Sequence, residues 1–217
     1  IDKTVPVTAG DGSKARSEGY AVPEFMKGEA DITPAARGTL THKVLELIPF
    51  DEMLDETKVR KFVESLPEKG IMSAREAEAV DCRKVAAFFK SDTGRRLRDA
   101  QWIRREWPFT LRKSRDEIAA MAANDDIKEE MRSSLAENVL IQGIIDCCFR
   151  DDRGIVVVDY KTDWVDRKNK DSEIARLREE YRRQLELYSE VIERSLGERP
   201  ESVVLFLLDS GDAVNIF

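Results

Sequence analysis

Gln142-Gly143-Ile144-Ile145-Asp146, followed after Asp151-Asp152-Arg153-Gly154 by Ile155-Val156-Val157-Val158-Asp159-Tyr160-Lys161-Thr162-Asp163, is the stretch whose reading decides the fold. Val139 to Phe149 and Ile155 to Tyr160 are rich in β-branched and apolar residues, and strands alternate their side chains with period two. The segment between them is turn chemistry: short acidic side chains and a glycine tolerate unusual backbone angles. If Arg150 faces Ile155 across that turn, antiparallel pairing sets Asp146 opposite Asp159, with Lys161 on the same face. Facing residues have Cβ atoms roughly 4.5–5.5 Å apart, and like charges so placed destabilise the pair. Ile155 to Val158 is apolar on both faces, the pattern of a strand buried on both sides. Carboxylates at the end of such a strand share a proton, pair with a cation or bind a metal. A solvated face with Lys161 as a surface partner is the plainer alternative; the buried strand favours the metal.

Outward from this hairpin, the chain has the size and composition of one domain with elaborations. It has 217 residues, 41% hydrophobic and 36% charged, which is enough to bury a substantial core. No apolar run approaches the roughly 18 residues of a membrane span, and no secretory signal is evident. The chain opens on Ile1 rather than Met, which reads as a piece of a longer protein. The net charge of −7 argues against a protein that simply coats DNA, though not against a site that must itself be acidic to hold a metal. Basic residues cluster at Arg167, Lys168 and Lys170 and at Arg176, Arg178, Arg182 and Arg183. These flank the hairpin's end and are read either as phosphate contacts or as solvated ion pairs along a helix.

Cys82, Cys147 and Cys148 contain no Cys-x-x-Cys spacing and cannot supply four thiolates. The odd count suits a reducing, cytosolic compartment, and Cys147 and Cys148 read as core.

Residues 1–32 hold Gly10, Gly12, Gly19 and Gly28 and no sustained period, and are read as a linker or docking arm. Thr33 reads as an N-cap with Pro34 at the first helical position, opening a helix to about Ile48. Further helices are predicted over 56–66, from the capping box Ser73-Ala74-Arg75-Glu76 to about Lys90, over 93–99 and over 172–196. Strands are predicted over 103–111, 202–208 and 213–217. Residues 115–137 are ambiguous. Helices first, then a sheet with a helix inserted before its last strands, is an α/β or α+β layer arrangement.

His42 is the only histidine. The apolar stripe Leu40, Val44, Leu47 and Ile48 puts it nearly opposite the helix's core face, either exposed or turned into a site, with Glu46 placed to orient it. On the long helix, Gln184 and Tyr188 are i, i+4 neighbours. Tyr188 falls on the core stripe and Gln184 at its edge, within reach of a strand end. Trp164 is read as covering the core, with base stacking as the alternative.

Gly38-Thr39-Leu40-Thr41-His42, Gln142-Gly143-Ile144-Ile145-Asp146, Asp159-Tyr160-Lys161-Thr162-Asp163 and Gln184-Leu185-Glu186-Leu187-Tyr188, in that order, resemble the RecB-family nuclease domain of the PD-(D/E)XK class, and more narrowly the C-terminal nuclease domain of AddA-type helicase–nucleases. The resemblance covers residues 33–217. It implies an α/β, restriction-endonuclease-like core, a mixed central sheet flanked by helices, with an N-terminal helical elaboration. It implies that His42, Asp146, Asp159 and the main-chain carbonyl of Tyr160 bind the metal, that Lys161 assists the attacking water, and that Gln184 and Tyr188 support the site near DNA. The implied protein is a bacterial cytoplasmic, metal-dependent deoxyribonuclease acting as an exonuclease on double-strand DNA ends for recombinational repair. Its implied partners are a single DNA strand threaded from a helicase, helicase domains of the same chain and a separate AddB-type protein. The competing expectation is a silent nuclease-like shell that guides a strand or docks a partner. Oxygen ligands favour Mg²⁺, with Mn²⁺ possible given one imidazole. Some relatives add an iron–sulphur cluster, and the missing cysteines argue against one here.

Overall fold

The computed structural model describes residues 31–50, 54–121 and 138–216. The expected arm over 1–32 falls almost wholly outside the described residues, as do 122–137 of the ambiguous stretch. The described elements are α1 (Pro34–Leu47), α2 (Glu56–Ser65), α3 (Ala74–Ala79), α4 (Cys82–Lys90), α5 (Asp92–Arg98), β1 (Trp102–Ser114), α6 (Arg115–Met121), β2 (Asn138–Arg150), β3 (Ile155–Lys161), α7 (Lys170–Leu196), β4 (Ser202–Leu207) and β5 (Asp212–Asn215). The five strands form one sheet in the order β1-β2-β3-β4-β5. This is the expected mixed sheet with helices.

The chain divides into two compact units. In the smaller, described over 108–121 and 138–144, Gln142 Nε2 donates to Thr110 Oγ1 at 3.3 Å, and Leu140 and Ile144 are exposed. Every candidate site residue lies in the larger unit, residues 30–107 with 145–217.

In the larger unit β2 and β3 pair antiparallel with Arg150 opposite Ile155 and Cys147 opposite Val158, the register assumed from the turn. Asp151 holds that turn: its Oδ1 accepts the amides of Arg153 and Gly154 at 3.0 and 3.1 Å. Gly154 has φ +143°, and a Cβ there would approach Glu201 to 2.9 Å, so the position requires glycine. β3 then runs parallel to β4, from Val156 opposite Ser202 to Lys161 opposite Leu207, with β5 antiparallel beyond it. Parallel strands need a long crossover, and the 27-residue α7 supplies it. Gly197 at φ +73° ends that helix. All of β3 up to Tyr160 is buried, and so is β4.

The core joins this sheet to α1, α2 and α4. Phe88 of α4 packs edge-on against Tyr160 and Phe206, with ring centroids 5.0 and 4.9 Å away. Such pairs add about 0.5–1.5 kcal/mol beyond the burial of the rings. They also fix the backbone of Tyr160, whose carbonyl belongs to the site.

Two expectations about the helices need correction. The helix predicted from Ser73 to Lys90 is two helices. Val80 is extended, and the Asp81 carboxylate caps α4 by accepting from Arg83 N and Lys84 N; apolar periodicity continued through the break and concealed it. On α1 the buried residues are Gly38, Thr41, Val44 and Leu45; of the expected stripe Val44 and Ile48 are buried, while Leu40 and Leu47 are only half-buried. Small and polar residues such as Gly38 and Thr41 add nothing to an apolar stripe, yet they lie inside. Gly38 is buried because α1 runs against Thr162, whose Oγ1 would sit 3.0 Å from a Cβ. Thr41 satisfies its hydroxyl by donating to Arg37 O at 2.8 Å. At about 100° per residue His42 therefore sits at the edge of the buried face, not opposite it.

Candidate functional site

The end of α1, a bend in β1, the ends of β2 and β3 and the middle of α7 supply the site. α1 is anchored from β1. The Arg105 guanidinium donates to the carbonyls of Leu45, Glu46 and Ile48, with Ile48 O at 2.7 Å, and stacks 4.0 Å from the Phe50 ring centroid. Carbonyls at a helix C-terminus lack intrahelical donors, and a cation is favoured there. The next residue, Glu106, has φ +45°. In a regular strand neighbouring side chains point to opposite faces. The left-handed residue breaks that alternation, so Arg105 and Glu106 both reach groups of α1.

His42 Nε2 lies 3.0 Å from Tyr160 O, and Nδ1 lies 3.5 Å from Asp146 Oδ1. The other oxygen of Asp146 accepts the Tyr160 amide at 2.8 Å. Among the described residues, ligand atoms of His42, Glu106 and Asp146 all lie within 4.8 Å of one another. Glu106 was missed by sequence reasoning; a lone Glu in Arg104-Arg105-Glu106-Trp107 carries no spacing signal, and only its backbone angle marks it out. Asp159 is not in that trio. It is 1% exposed, and its Oδ2 pairs with Lys161 Nζ at 2.8 Å. Lys161 Nζ also donates to Gln184 Oε1 at 3.3 Å and sits 4.4 Å from the centroid of the Tyr181 ring. Gln184 Nε2 donates to Tyr188 OH at 2.7 Å, and Tyr181 OH donates to Asp163.

The structure thus gathers every residue expected at the site, in two linked groups: His42, Tyr160 and Asp146 with Glu106, and Asp159 with Lys161, Gln184 and Tyr188. Glu46, expected to orient His42, instead pairs with Lys43 at 2.8 Å. Of the flanking basic residues, Lys170 pairs with Asp212, Arg176 with Glu173 and Glu180, and Arg182 with Glu179, while Arg178 donates to Ile216 O. Trp164 does not cover the core: it is 70% exposed.

Negative charge is crowded here. Burial first, and the Asp146 charge second, push the Asp159 carboxyl up to about 6 against the opposing pull of Lys161 and His42. Burial and Asp146 likewise raise Glu106. Burial alone would lower His42, but the Asp146 carboxylate, with Asp159 and Glu106, outweighs it and the imidazole pKa is raised. These acids converge without enough cationic charge between them. A buried carboxylate paired with one lysine, two further carboxylates, a main-chain carbonyl and one imidazole are a donor set that fits a divalent cation of the Mg²⁺ or Mn²⁺ kind.

Comparison with known proteins agrees with the fold. The profile of the PD-(D/E)XK nuclease superfamily matches residues 15–215. The chain is 36% identical over 193 residues to an ATP-dependent helicase/nuclease subunit from Desulforudis audaxviator, covering 89% of this chain and 15% of that protein. It is 38% identical over 178 residues to the protein of the same name from Geobacillus thermodenitrificans, covering 81% and 14%. For that of Alkaliphilus oremlandii the figures are 33% over 194 residues, 89% and 15%. The chain therefore spans about one-seventh of the length of these relatives, with 15%, 14% and 15% of each covered. It belongs to the PD-(D/E)XK nuclease superfamily.

Proposed function

We propose that this member of the PD-(D/E)XK nuclease superfamily hydrolyses DNA phosphodiester bonds with a bound Mg²⁺ or Mn²⁺, as the exonuclease portion of a longer helicase–nuclease that processes double-strand DNA ends for repair. The observation that carries the reading is the gathering of Asp146 and Glu106 around His42, next to a buried Asp159 carboxylate that pairs with Lys161 and is raised by burial and by the Asp146 charge. The helicase/nuclease name of the relatives supports the larger context. On that reading helicase domains of the same chain deliver a single strand, and a separate AddB-type protein completes a bacterial cytoplasmic assembly. Among the described residues no helix is long and apolar enough to cross a membrane.

His42, Asp146, Asp159 and Tyr160 O would hold the cation, with Glu106 as a further carboxylate. A divalent cation so held supplies electrostatic stabilisation of the anionic transition state and lowers the pKa of a water. Such help is needed, because a positioned acid or base contributes only about 10²–10⁴-fold. The chain's own residues do the positioning. The carbonyl of Tyr160 meets the His42 ring, while its amide N–H is held by Asp146. Lys161 Nζ is held by Asp159, Gln184 Oε1 and the Tyr181 ring, pre-oriented to align a water or neutralise a phosphate oxygen. Tyr188 OH fixes which way the Gln184 amide points.

The test is cleavage of labelled single-stranded DNA with Mg²⁺ or with EDTA. The wild-type chain is expected to cut only with the cation, and Asp159→Ala and Lys161→Ala to lose at least about a hundredfold. Undiminished cleavage by either variant refutes the assignment. Strand binding without any cation-dependent cutting would leave a shell that guides DNA.

A further inference from the structure

Beside the site a hollow of about 460 Å³ opens between the start of α1, the α3–α4 turn and the loop after β3; Arg37, Gly38, Asp81, Lys84, Asp163 and Trp164 are among its lining residues. We propose that it is a single-strand DNA subsite in which the indole of Trp164 stacks on an unpaired base and Arg37 meets the adjacent phosphate. The proposal rests on the nuclease reading above.

Exposure singles out Trp164. The side chain is 70% exposed, so its ring presents a face on which a base can stack. Among the described residues Trp164 makes no hydrogen bond and no ring contact, which leaves its indole open to a ligand. Position connects it to the chemistry. Only Thr162 and Asp163 separate it from Lys161. Gly38, which packs on Thr162, is one helical turn before His42 on the same face of α1. The hollow therefore adjoins both groups of the site.

Charge selects the occupant. The acids in the hollow are engaged: Asp81 caps α4 and pairs with Arg83, and Asp163 accepts from Tyr181 OH. Lys84 is neutralised by Asp209 at 2.6 Å. The Arg37 guanidinium donates to the carbonyl of Ile32, at 3.3 Å, and has no ion pair among the described residues. An exposed ring beside a guanidinium without an ion pair among the described residues suits a base with its phosphate. A single strand offers a free base face, whereas in a duplex both faces of each interior base are stacked.

The experiment measures binding of fluorescein-labelled oligothymidylate, an abasic strand of equal length and a blunt duplex by the full chain in EDTA, using fluorescence anisotropy. Wild type is expected to prefer oligothymidylate over the abasic strand. Trp164→Ala should weaken oligothymidylate binding about tenfold and leave abasic and duplex binding nearly unchanged, while Trp164→Phe stays within about threefold of wild type. Arg37→Ala should weaken both single strands and flatten the salt dependence. Trp164→Ala binding that matches wild type, or that falls equally on all three ligands, overturns the subsite. Cleavage with Mg²⁺ separates the two readings. If wild type cuts, Asp159→Ala does not, and Trp164→Ala binds normally, stacking fails and the nuclease stands. If wild type neither binds nor cuts, both fail.

Discussion

The amide of Tyr160 donates to Asp146 Oδ2 at 2.8 Å, so the candidate ligand on β2 also serves as an acceptor for the backbone of β3. Hydrogen bonds of this kind tie the fold to the chemistry. Removing Asp146 with alanine leaves a buried N–H without its partner, a cost of about 1–3 kcal/mol. Asp146→Asn keeps an acceptor. Thermal denaturation should show Asp146→Ala clearly destabilised and Asp146→Asn near wild type, while titration calorimetry with Mn²⁺ shows both impaired in binding.

Glu106 carries the strain of a left-handed backbone at φ +45°, a conformation that costs a non-glycine residue on the order of 1 kcal/mol or more. Glu106→Gly is therefore expected to be more stable than Glu106→Ala by about 1 kcal/mol. Both should bind Mn²⁺ more weakly than wild type. Equal stability of the two variants would show that the strained angle is not what holds this side chain in the site.

Asp151 is the clean case for pH-dependent stability. The bidentate pair with Arg96, at 2.6 and 3.1 Å, outweighs burial and holds its carboxyl down at about 2. A pKa depressed on folding adds stability above the unfolded value, which is lost as pH falls through the folded one. Asp151→Asn should cost about 2 kcal/mol at pH 7 by denaturant unfolding, and the gap to wild type should close between about pH 4 and pH 2.

Asp159 has the opposite sign. Its carboxyl is raised to about 6 on folding. In chelator, its contribution is most favourable below the unfolded pKa and is lost as pH rises through about 6. Asp159→Asn should therefore melt higher than wild type at pH 8 in EDTA. Saturating Mn²⁺ should reverse that order, since a ligand at a hundred times its Kd stabilises the binding form by about 2.7 kcal/mol. A variant that gains as much from Mn²⁺ as wild type would remove Asp159 from the cation site.

Tyr181 presents its ring 4.4 Å from Lys161 Nζ and its hydroxyl to Asp163. A cation over an aromatic face is worth about 0.5–2 kcal/mol. Tyr181→Phe should keep most cleavage, and Tyr181→Leu should lose about 3–30-fold in kcat with KM for DNA little changed. A matching loss in both variants would assign the effect to the hydroxyl instead.

Much of this was legible in the chain. The turn at Asp151 to Gly154 set the hairpin register, because period-two alternation and turn chemistry are local. The apolar run Val156 to Val158 marked the central strand, and Thr33-Pro34 marked the start of α1. The Gln184–Tyr188 pair followed from helical spacing alone. Less legible were the break at Val80, hidden by continuous apolar periodicity, and the buried face of α1, where Gly38 and Thr41 are inside because of what packs on them. Trp164 beside a buried strand looked like core and is solvent-facing, since burial depends on which elements lie opposite.

By itself the sequence determined the order and type of the elements around β2 and β3 and the identities of His42, Asp146, Asp159 and Lys161 as the groups to watch, because backbone periodicity and capping act over a few residues. Only the tertiary structure decided that Glu106 turns toward His42 and Asp146, that Asp159 is buried against Lys161, and that Trp164 faces water beside Arg37. Those facts arise where segments far apart in the chain are packed against one another, and the proximity of distant residues leaves no period in a sequence.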